Sequence, residues 1–163
     1  MKKAKKGVSP MDAALKYLSP KARTAREVET YLDGCQYSEY DVYAVVERLK
    51  ELGYVDDAKY AEAFIESRLA AKAVSKRKLR EQLLAHGIER DIADEALKTV
   101  SDEDEYGNVL EIARKFYEQF SALDVQERIT RTIRRLIARG YSYDDAKRAV
   151  RQLADAAESD FDE

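Results

Sequence analysis

Five arginines crowd one twelve-residue stretch: Arg128, Arg131, Arg134, Arg135 and Arg139. Four of them, Arg128, Arg131, Arg135 and Arg139, follow i, i+3, i+7, i+11, so in a helix they share a face. Glu127 is the only acid within the helix that carries them, and the usual i, i+4 neutralisation is missing. A guanidinium presents a planar fork that matches phosphate or carboxylate oxygens. The chemistry on offer is ionic recognition of a polyanion or of an acidic protein groove, set against a plain solvated face. A second basic run, Arg68, Lys72, Lys76, Arg77, Lys78 and Arg80, has the same character. Lys76, Arg77 and Arg80 join the stripe as candidate partner-binding residues.

Bond-making chemistry has no such cluster. His86 is the single histidine, which removes His-pair metal sites and multi-His relays. Its place at a helix C-terminus favours a capping role over a catalytic one. Cys35, the single cysteine, follows Gly34 and reads as a packed thiol. Asp56 and Asp57 are adjacent carboxylates without further ligand spacing, and read as a helix start. No glycine-rich phosphate loop is present. The expectation is no catalytic site, no cofactor and no metal.

The elements that carry these residues are helical throughout. Six Gly, two Pro and 37% charged residues in 163 favour helix over turn-rich folds, and no segment alternates with period two. Gly34, Gly87 and Gly140 recur every 53 residues, each reading as a left-handed helix stop. Ser38, Glu89 and Ser142 then open the next helix. Thr24 with Glu27 has capping-box spacing. Val42, Val45, Val46 and Leu49 form a buried stripe, as do Ile129, Ile133, Leu136 and Ile137.

The sequence therefore predicts an all-α chain of three tandem three-helix repeats, an elongated array of units too small to stand firmly alone. The bounds are 10–55, 56–100 and 101–154, with Ser101 to Glu105 as an acidic linker. A basic tail at 1–9 and an acidic tail at 155–163 read as irregular. Eleven tyrosines read mainly as core or interface residues. One cysteine and no long apolar run point to a cytoplasmic protein without a membrane segment.

Leu52-Gly53-Tyr54-Val55-Asp56-Asp57, followed by Tyr60-Ala61 and Phe64, resembles the most diagnostic stretch of the RecX family. Lys78-Leu79-Arg80 before Gly87-Ile88, and Arg135-Leu136 before Arg139-Gly140-Tyr141-Ser142, resemble its middle and end. The resemblance runs from about residue 10 to 154. It implies a curved rod of three three-helix repeats and a non-enzymatic regulator of the RecA recombinase in DNA repair, recombination and the SOS response. It further implies that the protein lodges in the groove of the RecA nucleoprotein filament, restrains its growth, ATP hydrolysis and strand exchange, and contacts single- or double-stranded DNA. A monomer is expected. An alternative is a sequence-tolerant DNA binder that uses the arginine stripe without any filament. Gly53, Tyr54, Asp56, Asp57, Tyr60, Gly87 and Gly140 read as structural residues: Gly53 stops a helix, Tyr54 staples the turn, and Asp56 or Asp57 caps the next.

Overall fold

Helix starts in this chain are set by hydroxyls and carboxylates. Ser9, Thr24, Ser38, Ser101, Asp124 and Ser142 lie in extended backbone, and each accepts an N–H from the first turn that follows. The computed structural model describes residues 7–160. Nine helices lie among the described residues, with no strand: α1 (Pro10–Leu18), α2 (Ala25–Gly34), α3 (Glu39–Glu51), α4 (Asp57–Ala71), α5 (Lys76–Ala85), α6 (Arg90–Leu97), α7 (Asp102–Gln119), α8 (Val125–Ala138) and α9 (Tyr143–Ser159). The basic and acidic ends, residues 1–6 and 161–163, lie outside the described residues.

Several expectations shift. Ser101 to Glu105 is not a linker. Ser101 and Asp104 form a complete capping box, and four acids occupy the first turn of α7, where they meet the positive helix end. Residues 155–159 are not irregular; they prolong α9. On α8 the buried line is Thr132 and Leu136, one turn apart, while Ile137 lies 100° away and is 43% exposed.

The helix-stopping glycines also need one change of register. Gly53, Gly87 and Gly140 have φ of +77°, +85° and +93°, the left-handed region that favours glycine. Gly34 does not. It belongs to the last turn of α2, and Gln36 takes the left-handed position at φ +68°. The matched residues are therefore Gln36, Gly87 and Gly140. The backbone bonds agree: Gln36, Gly87 and Gly140 donate to Asp33, Leu84 and Ile137 respectively.

The chain divides into two compact units. Unit 1 comprises Met1–Phe64 and Gln82–Ala96. Its core joins α1, α2 and α3 through Val28, Leu32, Val42, Val46 and Leu49, with Val55 closing it. Tyr17 and Tyr31 stack at 4.1 Å, and Arg23 lies over Tyr17. The Thr24 hydroxyl is fully buried and works twice. It accepts the Glu27 N–H at 3.1 Å and donates to the His86 carbonyl at 2.6 Å. A Cβ on Gly87 would collide with the Arg26 side chain. Glycine is thus required there for φ and for close approach alike.

Unit 2 comprises Ile65–Glu81 and Leu97–Glu163. Helices α7, α8 and α9 pack on one another around Val109, Ala113, Leu136, Ala146 and Val150. Ser75 repeats the role of Thr24. Its buried hydroxyl accepts the Lys78 N–H and donates to the Arg139 carbonyl, both at 3.1 Å. A Cβ on Gly140 would come within 2.5 Å of the Ser75 Oγ. Each unit thus holds one junction, in which the N-cap hydroxyl of one second helix grips the C-terminal carbonyl of the next. Each such part-buried bond nets about 1 kcal/mol.

Candidate interaction surface

Helix α8 starts at Asp124, whose carboxylate accepts the N–H groups of Gln126 and Glu127. Thr132 is buried, and its hydroxyl is satisfied by the Arg128 carbonyl at 2.8 Å. With Thr132 and Leu136 inward, Arg131, Arg134, Arg135 and Arg139 stand exposed. The four stripe arginines differ in what they touch. Arg128 is half-buried, lies 3.5 Å over the Tyr117 ring and donates from Nε to the Tyr117 carbonyl. It holds α8 against α7. Arg131 is bound to Glu127 at 2.7 Å, so the i, i+4 neutralisation expected to be missing is present for this one arginine. Arg135 and Arg139 lie 5.8 and 5.4 Å from the Phe116 ring, and Phe116 stacks on Phe120. Arg134, Arg135 and Arg139 have no acidic partner among the described residues. Aromatic support fixes a guanidinium without consuming its charge.

The second basic run is more committed. The Lys76 backbone N–H is held by Glu105, and its Nζ lies 3.5 Å from Asp102. Arg77 pairs with Glu81 at 3.4 Å. Arg80 is half-buried. Burial pushes the Glu105 carboxyl up, against the Lys76 bond that favours its charged form. Burial also pushes the Tyr141 phenol up to about 12, and its hydroxyl has no hydrogen-bond partner.

Sequence reasoning missed the cations of α9. Lys147, Arg148 and Arg151 line an open depression with Asp144, Gln152 and Asp155. Arg148 lies 3.9 Å over Tyr106, whose hydroxyl donates to Gln152. The near-neutral total for residues 101–154 hid them. Counting by unit separates the charges: unit 1 carries 8 Lys and Arg against 15 Asp and Glu over its described residues, and unit 2 carries 17 against 15.

The residues read as structural occupy structural places. Asp56 caps α4, accepting the Lys59 N–H at 3.0 Å. Asp57 does something different: its Oδ1 accepts the Ala25 N–H at 2.9 Å and so caps α2. Tyr54 is no staple. It is 60% exposed, and Val55 beside it is the buried residue. The Tyr60 hydroxyl lies 3.3 Å from His86 Nδ1, which also meets Glu27 Oε1 at 2.7 Å. The His86 ring therefore bonds across the unit 1 junction, and its carbonyl rather than its ring receives the capping hydroxyl. No group of His, Cys, Asp and Glu suited to a metal lies among the described residues. No helix among them is long and apolar enough to cross a membrane.

Three family models match in chain order: the first three-helix domain of RecX over residues 11–49, the second over 56–97 and the third over 102–150. The chain belongs to the RecX family. The RecX regulatory protein of Thermobifida fusca is 30% identical over 149 residues, which cover 90% of this chain and 80% of that protein. The RecX regulatory protein of Clostridium botulinum (strain Alaska E43) is 28% identical over 143 residues, 86% of this chain. The chain spans 66% of that relative's length, just under two thirds. The crystal structure of RecX from Lactobacillus salivarius superposes with a TM-score of 0.84 at 25% identity, covering 89% of this chain and 94% of that one. RecX is a family of regulatory proteins, and the three tandem three-helix domains expected from the sequence are its architecture.

Proposed function

We propose that this chain binds the RecA nucleoprotein filament and restrains its growth, its ATP hydrolysis and strand exchange, acting in the cytoplasm as a monomer without catalysis of its own. One observation carries the reading: Arg134, Arg135 and Arg139 stand exposed on α8 with no acidic partner among the described residues. Two of these guanidiniums, Arg135 and Arg139, are supported by the Phe116 ring, and all three, left without an acid, suit the anionic surface that a filament of protein and DNA presents. Arg128, half-buried against Tyr117, supports that face rather than extends it, and Arg131 adds to it through an exposed pair with Glu127 that an anion can displace.

The test is RecA ATPase on single-stranded DNA with and without the chain. Wild type lowers the rate at a low molar ratio to RecA. Arg134→Glu with Arg135→Glu, two exposed changes with a stability effect within about 0.5 kcal/mol each, relieves the inhibition. An unaffected RecA rate with wild type sinks the proposal. Inhibition that persists in a well-folded double variant moves the contact off α8. Tight, steeply salt-dependent binding to naked DNA with no effect on RecA supports the DNA-binding alternative.

A further inference from the structure

Helix α3 keeps Val42, Val46 and Leu49 in the unit 1 core. Tyr40, Tyr43, Glu47 and Glu51 fall at i, i+3, i+7 and i+11 and form its outer line. Tyr40 is 79% exposed and Tyr43 67%. Leu52 and Tyr54, just past the helix end, are also exposed. The repeat register set by Ser38 and Ser142 puts Asp144, Lys147, Arg151 and Asp155 on the corresponding line of α9. That line is charged at every position. The α3 line places two aromatic rings where α9 has Asp144 and Lys147. Neither tyrosine has a hydrogen bond or ring contact among the described residues. Exposed, unpartnered Tyr is a feature of contact surfaces, because it supplies a large rigid area with a polar tip.

We infer that the outer face of α3 is a docking surface for a Lys- or Arg-bearing segment of a protein partner. Charge names the occupant. Unit 1 has a net charge of −7 over its described residues. Its two outer-line carboxylates are held only by exposed neighbours, Glu47 by Lys50 at 3.1 Å and Glu51 by Arg48 at 2.9 Å. Such pairs are weak in water and exchange readily for an incoming cation. The tyrosine faces accept the same cations by their ring quadrupole. A nucleic acid backbone would meet like charge here. The inference rests on the filament reading above and deepens it: α3 addresses the protein component, and α8 the anionic component.

The experiment uses the full chain and two probes: RecA filaments on single-stranded DNA with a non-hydrolysable ATP analogue, and the same DNA alone. Tyr40→Ala with Tyr43→Ala weakens filament binding on the order of tenfold, as loss of a central aromatic pair does. It leaves naked-DNA binding and the thermal melt at wild-type values. Tyr40→Phe with Tyr43→Phe keeps filament binding, because the rings remain. Glu47→Lys weakens filament binding and steepens naked-DNA retention. Filament binding by the alanine pair equal to wild type overturns the inference and leaves the α8 reading standing. Parallel loss of naked-DNA binding overturns it in favour of base stacking. Self-association that the alanine pair abolishes overturns it in favour of a second copy. Wild type that ignores the filament removes both readings together.

Discussion

The two junctions solve one problem with the same backbone and different side chains. In unit 1 the Thr24 hydroxyl grips the His86 carbonyl beside Gly87; in unit 2 the Ser75 hydroxyl grips the Arg139 carbonyl beside Gly140. A carboxylate from the next helical group then holds the first helical N–H, Asp57 for Ala25 and Glu105 for Lys76. Around this shared frame the decoration diverges. Unit 1 adds the Glu27–His86 pair, whereas unit 2 buries the Tyr141 hydroxyl without a partner. What repeats is a small hydroxyl, a carbonyl and a glycine. The side chains are thereby free to vary, and the residue before the glycine is His86 in one junction and the exposed Arg139 in the other.

The largest way to break the likeness is through its glycines. Gly87→Ala strains a left-handed residue and drives a methyl into Arg26, so a loss of about 2–4 kcal/mol is expected in denaturant melts. Gly53→Ala serves as the control. Its φ is equally left-handed, but nothing lies within 4 Å of the added carbon. It should lose only about 1–2 kcal/mol. Equal losses at the two positions would show that close packing at the junction contributes nothing.

Next come the hydroxyls. Thr24→Val and Ser75→Ala each remove two part-buried bonds, one from an N–H and one to a carbonyl, at a cost of about 1–2 kcal/mol. A markedly smaller loss at Thr24 would mean that the Glu27–His86 pair holds the unit 1 junction without it.

Tyr141→Phe sharpens the difference. Removing an unsatisfied buried hydroxyl should leave stability unchanged or raise it by about 1 kcal/mol. Burial raises the wild-type phenol to about 12 from 10.0, so wild-type stability is unaffected by its ionisation below pH 10 and falls as the pH climbs toward 12. An alkaline melt series should show this decline in wild type and not in the variant. The smallest effect is at Gln36. Gln36→Gly relieves a left-handed residue and should stabilise by about 0.5–1 kcal/mol in thermal melts; a destabilised variant would mean that the Gln36 side chain makes a contact of its own.

Much of this architecture was legible because its cues are local. Thr24 with Glu27, and the apolar spacing of Val42, Val46 and Leu49, need only neighbouring residues to be read. The register slip at Gly34 shows the limit. Glycine is demanded at positions 87 and 140 by φ and by an approaching side chain together, whereas position 36 lacks the second demand and accepts Gln. A period counted on glycine letters therefore drifted by two residues. The buried hydroxyls of Thr24 and Ser75 were visible as caps, but their second bond spans 62 and 64 residues and leaves no local pattern. On α8 the run of arginines was plain. That Arg128 turns back to Tyr117 while Arg134 stays outward depends on which helix face packs inward, which spacing alone did not settle.

Cys35 gives this molecule a chemical clock. It is the sole thiol in 163 residues, it lies buried at the end of α2, and it belongs to unit 1 alone. A thiol reagent can reach it only when that end of the helix lets go, so the rate of labelling counts excursions of unit 1 and is blind to those of unit 2. A partner seated on either unit can thus be located by whether it slows one reaction at one atom.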